Sequence, residues 1–134
     1  MPNPLSGKFS ANQDKIKNFF SNYSNYILCI PNVKDINDKK FLIDAQVGAM
    51  KVTVNGELVD YKMAENSYSA IMKVLGPGVT VTITTSFAPK NNEVSWTSEY
   101  KLEGAMVVML GQTLQNTVET MINQTIECVK NKLS

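Results

Sequence analysis

Residues 96–130 read WTSEYKLEGAMVVMLGQTLQNTVETMINQTIECVK, and the repeat of their apolar positions changes part-way. Up to Glu103 the period is two: Trp96, Ser98, Tyr100 and Leu102 oppose Thr97, Glu99, Lys101 and Glu103. That alternation predicts a strand with one face on a core. After Gly104 the period becomes 3.6. Met106, Met109, Leu110, Thr113, Leu114, Thr117, Val118, Met121, Ile122, Thr125, Ile126 and Val129 form a broad stripe, while Gln112, Gln115, Asn116, Glu119, Asn123, Glu127 and Lys130 cover the other side. About 26 residues at about 1.5 Å each make a helix roughly 39 Å long. It is amphipathic rather than uniformly apolar, so it is expected to lie on a sheet and not to cross a bilayer.

Working back from this junction, period-two runs dominate. Phe41, Ile43, Ala45 and Val47 alternate with Leu42, Asp44 and Gln46, and the same period runs through Met50, Val52, Val54 and Leu58, then Tyr68, Ala70, Met72 and Val74 against Ser69, Ile71 and Lys73, then Val79, Val81, Ile83, Thr85 and Phe87. Asn37-Asp38, Ala64 to Asn66, Gly76-Pro77-Gly78 and Pro89 to Asn92 carry turn chemistry between them. Nearer the start, Leu5 to Ala11 alternates as a first strand, Asn12 offers an N-cap, and Ile16, Phe19 and Phe20 mark a short helix. Ser21 to Ile30 reads as a second short helix stopped by Pro31-Asn32. The sum is one α+β domain over residues 1–134: a curved seven-stranded antiparallel sheet wrapped around a long C-terminal helix, with two short helices after the first strand. One helix cannot fill the hollow of so long a sheet, and a mostly apolar cavity is expected.

The 134 residues suit a single core. Net charge is +1 and all thirteen basic residues are lysines, so the guanidinium fork of nucleic-acid and phosphate recognition is absent and no nucleic-acid partner is expected. With no histidine, the commonest general base and zinc ligand are missing; neither a metal nor a cofactor is expected. Cys29 and Cys128 lie too far apart in sequence for a CxxC pair. A disulfide remains open, but two buried free thiols in a reducing cytoplasm is the plainer reading. No segment resembles a signal peptide or reaches the roughly 20 apolar residues of a membrane span, so a cytoplasmic protein is expected, peripheral membrane contact being left open.

The element order is that of the helix-grip superfamily of START domains and birch-pollen allergens. Within it the chain resembles the CoxG family of carbon monoxide dehydrogenase subunits. The resemblance rests on Leu5-x-Gly7-x-Phe9, Cys29-Ile30-Pro31-Asn32-Val33, Val47-Gly48-x-x-Lys51 leading to Gly56, Glu103-Gly104 and Leu110-Gly111. It covers nearly the whole chain. Asn32 stands where the family usually has glycine, a change that asparagine's tolerance of left-handed geometry permits. The resemblance implies an accessory protein associated with a molybdenum hydroxylase-type dehydrogenase. Family members often add a C-terminal membrane-attaching segment, which is not seen before Ser134.

Alternation places Phe41, Val52, Val54, Met72, Ile83, Trp96, Ser98, Tyr100, Met109, Thr113, Thr117 and Met121 toward the cavity. Most such residues simply pack a core. Those left lining a void would offer hydroxyls, one indole and thioethers, and methionines suit an adaptable pocket. No inward position carries a carboxylate or lysine, so no residue is assigned a catalytic role. Asp44, Glu57, Glu99, Glu103 and Lys51 fall on the outward phase, and Asp60 and Lys62 sit where a bulge would change their face. The expected function is non-catalytic binding of a small apolar molecule, lipid- or quinone-like. The competing readings are an enzyme like the polyketide cyclases and aromatases, and a structural, self-associating protein.

Overall fold

The computed structural model describes residues 3–134. Strand β1 (Asn3–Ser10) leads into helix α1 (Gln13–Phe20) and the one-turn helix α2 (Tyr23–Ile27). A meander follows: β2 (Val33–Asn37), β3 (Lys40–Val47), β4 (Met50–Ala64), β5 (Ser67–Gly76), β6 (Val79–Lys90) and β7 (Glu93–Glu103). Helix α3 (Ala105–Leu133) closes the chain. The seven strands form one antiparallel sheet in the order β1-β7-β6-β5-β4-β3-β2. The helix-grip architecture is therefore present, with α2 shorter than the Ser21–Ile30 span expected. Helix α2 starts later because the Asn22 side chain accepts from the Ser24 N–H, and it stops earlier because the Cys29 and Ile30 N–H groups bond carbonyls three residues back, those of Tyr26 and Ile27.

The turns form where residues tolerate left-handed backbone. Asn32 has φ 59° and Asn91 has φ 57°, and Gly78, at φ 72°, closes the β5–β6 hairpin. At that tip the Met106 N–H donates to the Gly78 carbonyl (3.0 Å), tying the hairpin to the start of α3. A Cβ on Gly78 would meet the Met106 side chain, so the contact needs glycine. The register of β4 against β5 shifts between Leu58 and Asp60. This bulge turns Tyr61 inward, while Asp60 and Lys62 pair at 3.6 Å on the outer face.

One end of the trough is closed by aromatics. Phe20 stacks on Tyr68 (centroids 4.4 Å apart) and packs on Phe87 (4.9 Å) and edge-on to Phe19 (5.1 Å). Phe20 and Phe87 are fully enclosed, and burying such a ring contributes roughly 1.5–3 kcal/mol. Leu114, Val118, Ile122, Ile126, Val129 and Leu133 of α3 are buried on the sheet.

The expectation of free thiols is overturned. Cys29 and Cys128 form a disulfide, their Cα atoms 5.4 Å apart across 99 positions of sequence. α2 and the C-terminal half of α3 bring the two residues together, which spacing along the chain does not reveal. Disulfides persist in oxidising surroundings, so the pair removes the ground on which a reducing cytoplasm was expected. Among the described residues no helix is long and apolar enough to cross a membrane.

Candidate functional site

Strand β2 covers β3 only in part. Val33 pairs with Ile43 and the Asp44 N–H still reaches the Asn32 carbonyl (3.1 Å), but the Pro31-Asn32 turn then carries the chain away. Beyond Asp44 the outer edge of β3 has no partner strand among the described residues, and a groove of about 310 Å³ opens between it and α3. Ile43, Ala45 and Gln46 form one wall, and Thr117, Thr120 and Met121 the other. The Thr117 hydroxyl donates to the carbonyls of Thr113 (2.9 Å) and Gln46 (3.4 Å), so the walls are joined at one point. At the lip, Asp44 accepts from the Thr53 hydroxyl (2.8 Å) and pairs with Lys34 (3.1 Å). Those two partners hold its carboxyl below the usual carboxylate range, so it stays ionised and engaged. A second hollow of about 490 Å³ borders the same edge and includes Lys51 and Val52.

Inside the trough the space is much smaller. A void of about 10 Å³ lies among Met72, Ile83, Thr85, Met121, Ile126 and the Tyr26 ring. Thr85 and Ser98, both buried, share a hydrogen bond of 2.9 Å between their hydroxyls. Burial pushes the Tyr26 phenol up, and the Thr85 hydroxyl beside it works the other way. Tyr61, half-buried and donating to the Phe20 carbonyl (2.7 Å), is raised for the same reason as Tyr26.

The expected cavity set is thus divided by the structure. Met72, Ile83 and Met121 meet at the inner void, and Thr117 and Met121 line the groove. Phe41 instead lies over Gly56, and Trp96 lies against Gly7, where a Cβ would stand 2.9 Å from the indole nitrogen. Val54, Ser98 and Tyr100 are buried in the core, while Val52 and Thr113 are half-buried. Met109 is 76% exposed and encloses nothing, because at about 100° per residue it lies roughly 120° round the helix from Met121. Met50, read as inward, is likewise exposed on the β3–β4 hairpin. The reading that no carboxylate faces inward also needs correction. Glu119 accepts a 2.5 Å hydrogen bond from the buried Tyr100 hydroxyl, because the trough walls rise far enough to meet the flank of the helix. Tyr26 and Thr120 were not expected at the site; Tyr26 sits on a short helix whose docking has no local signature.

The chain and its fold find matches among known proteins. The family model for CoxG, a subunit of carbon monoxide dehydrogenase, matches residues 7–134. The chain belongs to that family. A conserved protein from Geobacillus kaustophilus superposes with a TM-score of 0.69 at 15% identity, covering 98% of this chain and 94% of that one. A hypothetical protein from Helicobacter pylori gives 0.64 at 11% identity, covering 99% and 86%. A START superfamily protein from Mycobacterium smegmatis gives 0.57 at 13%, covering 98% and 96%. At these identities the likeness is one of fold. No curated protein matches the chain in sequence. For a CoxG-family member, the motif glycines carry structural roles here: Gly7 and Gly56 make room for Trp96 and Phe41, and Gly104, at φ 120°, packs against the Gly78 backbone.

Proposed function

We propose that this CoxG-family protein binds a small, uncharged, mostly apolar molecule in the groove between β3 and α3 and holds it without transforming it. The observation that carries this reading is the groove itself: open, built from Ile43, Ala45 and Met121, with hydroxyls and amides as its polar groups. Such a surface favours apolar bodies and uses a few neutral hydrogen bonds for orientation. Its one carboxylate, Asp44, is already engaged by Thr53 and Lys34. A lipid- or quinone-like molecule suits this chemistry. The family supports an accessory role beside a molybdenum-containing carbon monoxide dehydrogenase-like hydroxylase.

Native mass spectrometry of the protein purified from its host is expected to show a bound neutral molecule, released intact on denaturation. Ala45→Trp, which fills the groove, should cut that occupancy at least about tenfold, the equivalent of roughly 1.4 kcal/mol. An empty wild-type protein, with no uptake of any apolar probe, would sink the reading. The Tyr100–Glu119 pair favours a second reading, acid–base chemistry of the cyclase kind. Recovery of a chemically altered ligand from wild type, but not from Glu119→Gln, would establish it.

A further inference from the structure

The groove and the inner void share one lining side chain, Met121. Its backbone is held, since its carbonyl accepts from the Thr125 hydroxyl (2.8 Å), but its half-buried thioether chain has three rotatable bonds and no polar atom to anchor it. The neighbouring wall residues Ile122 and Ile126 are β-branched and stiff. Behind Met121 lie two buried neutral groups, the Tyr26 phenol and the Thr85 hydroxyl, which contacts Tyr26 and is backed by a hydrogen bond with the buried Ser98 hydroxyl.

We propose that groove and void are one binding site with Met121 as its gate, and that the Tyr26 and Thr85 hydroxyls, Thr85 backed by Ser98, read a single uncharged oxygen at the tip of the ligand. This rests on the ligand-binding reading of the groove. A space of about 10 Å³ admits roughly one heavy atom. The apolar body must therefore remain in the groove while a carbonyl or hydroxyl oxygen passes the displaced thioether. A hydrocarbon tip gains no hydrogen bond from the hydroxyls, which already bond one another, and a carboxylate tip brings a charge among neutral lining groups. The site is then selective for neutral, oxygen-tipped molecules over both.

The test uses displacement of the neutral fluorophore 1-aminoanthracene by 2-naphthol, 2-methylnaphthalene and 2-naphthoate. Wild type is expected to bind 2-naphthol roughly tenfold more tightly than 2-methylnaphthalene, and 2-naphthoate most weakly. Thr85→Val should abolish the preference while keeping affinity for 2-methylnaphthalene, and Thr85→Ser should restore it. Met121→Ile, similar in bulk but stiff, should slow 2-naphthol association on the order of tenfold in stopped flow. Met121→Ala should speed it. If the probes bind but Thr85→Val keeps the preference and Met121→Ile keeps the rate, the gate is refuted and the groove reading survives. Binding to Met121→Ala alone would support the gate and count against an open groove in wild type. Binding to no variant would overturn both.

Discussion

From Leu114 to Leu133, α3 buries Val118, Ile122, Ile126 and Val129 against the sheet and is tied to the loop after α2 by the Cys29–Cys128 disulfide. From Ala105 to Met109 the same helix leaves Val108 90% and Met109 76% exposed. The first segment is, if anything, the more apolar: no charged residue occurs between Ala105 and Val118. What separates the two is the sheet, whose trough covers the second along its length and meets the first at the β5–β6 tip, where Met106 packs on Gly78. The backbone marks the division, since Leu110 departs from helical geometry (φ −122°, ψ 22°) just before Gly111. Hydropathy thus describes what a segment would bury, and the partner surface decides whether it does.

The gripped part is the place to break this contrast. Replacing both Cys29 and Cys128 by alanine is expected to lower unfolding free energy by about 4 kcal/mol, within the roughly 2–5 kcal/mol typical of a native disulfide. Urea titration reads it, and a loss under about 1 kcal/mol would mean that packing alone holds α3. Ile126→Ala, in the same stripe, should cost about 3 kcal/mol through a cavity that the trough cannot close. At the division, Gly111 has open space where a Cβ would stand, so Gly111→Ala should stabilise by up to about 1 kcal/mol. A destabilised Gly111→Ala would show that the kink, and not merely the helix, needs glycine. On the projecting part, Val108→Ser should change stability by less than about 0.5 kcal/mol. A larger loss, or a drop in mass by light scattering from two chains to one, would reveal that this surface is covered in solution.

Much of the architecture could be read from local pattern. The change of period at Gly104 separates β7 from α3, and the asparagine and glycine turns mark each hairpin; each depends on neighbours a few positions away. The candidate site was legible only in pieces. Met72, Ile83, Thr117 and Met121 follow from alternation and helical phase, but Met109, placed in the same broad stripe, is exposed: twelve positions at about 100° each put it roughly 120° round the helix from Met121. A stripe stepped by fours drifts round a helix, and packing decides which part of it the sheet covers.

Periodicity and turn chemistry are local properties of the chain, and they suffice to specify a seven-stranded curved sheet meeting a long amphipathic helix. The rest belongs to the assembled fold. Packing joined Cys29 to Cys128, set Glu119 against Tyr100, and turned Tyr61 inward at the β4 bulge. It also started β2 only at Val33, which leaves the edge of β3 open beyond Asp44. Each of these depends on register, strand length and the depth of the trough. Such quantities arise from contacts between residues distant in sequence, which no local pattern encodes.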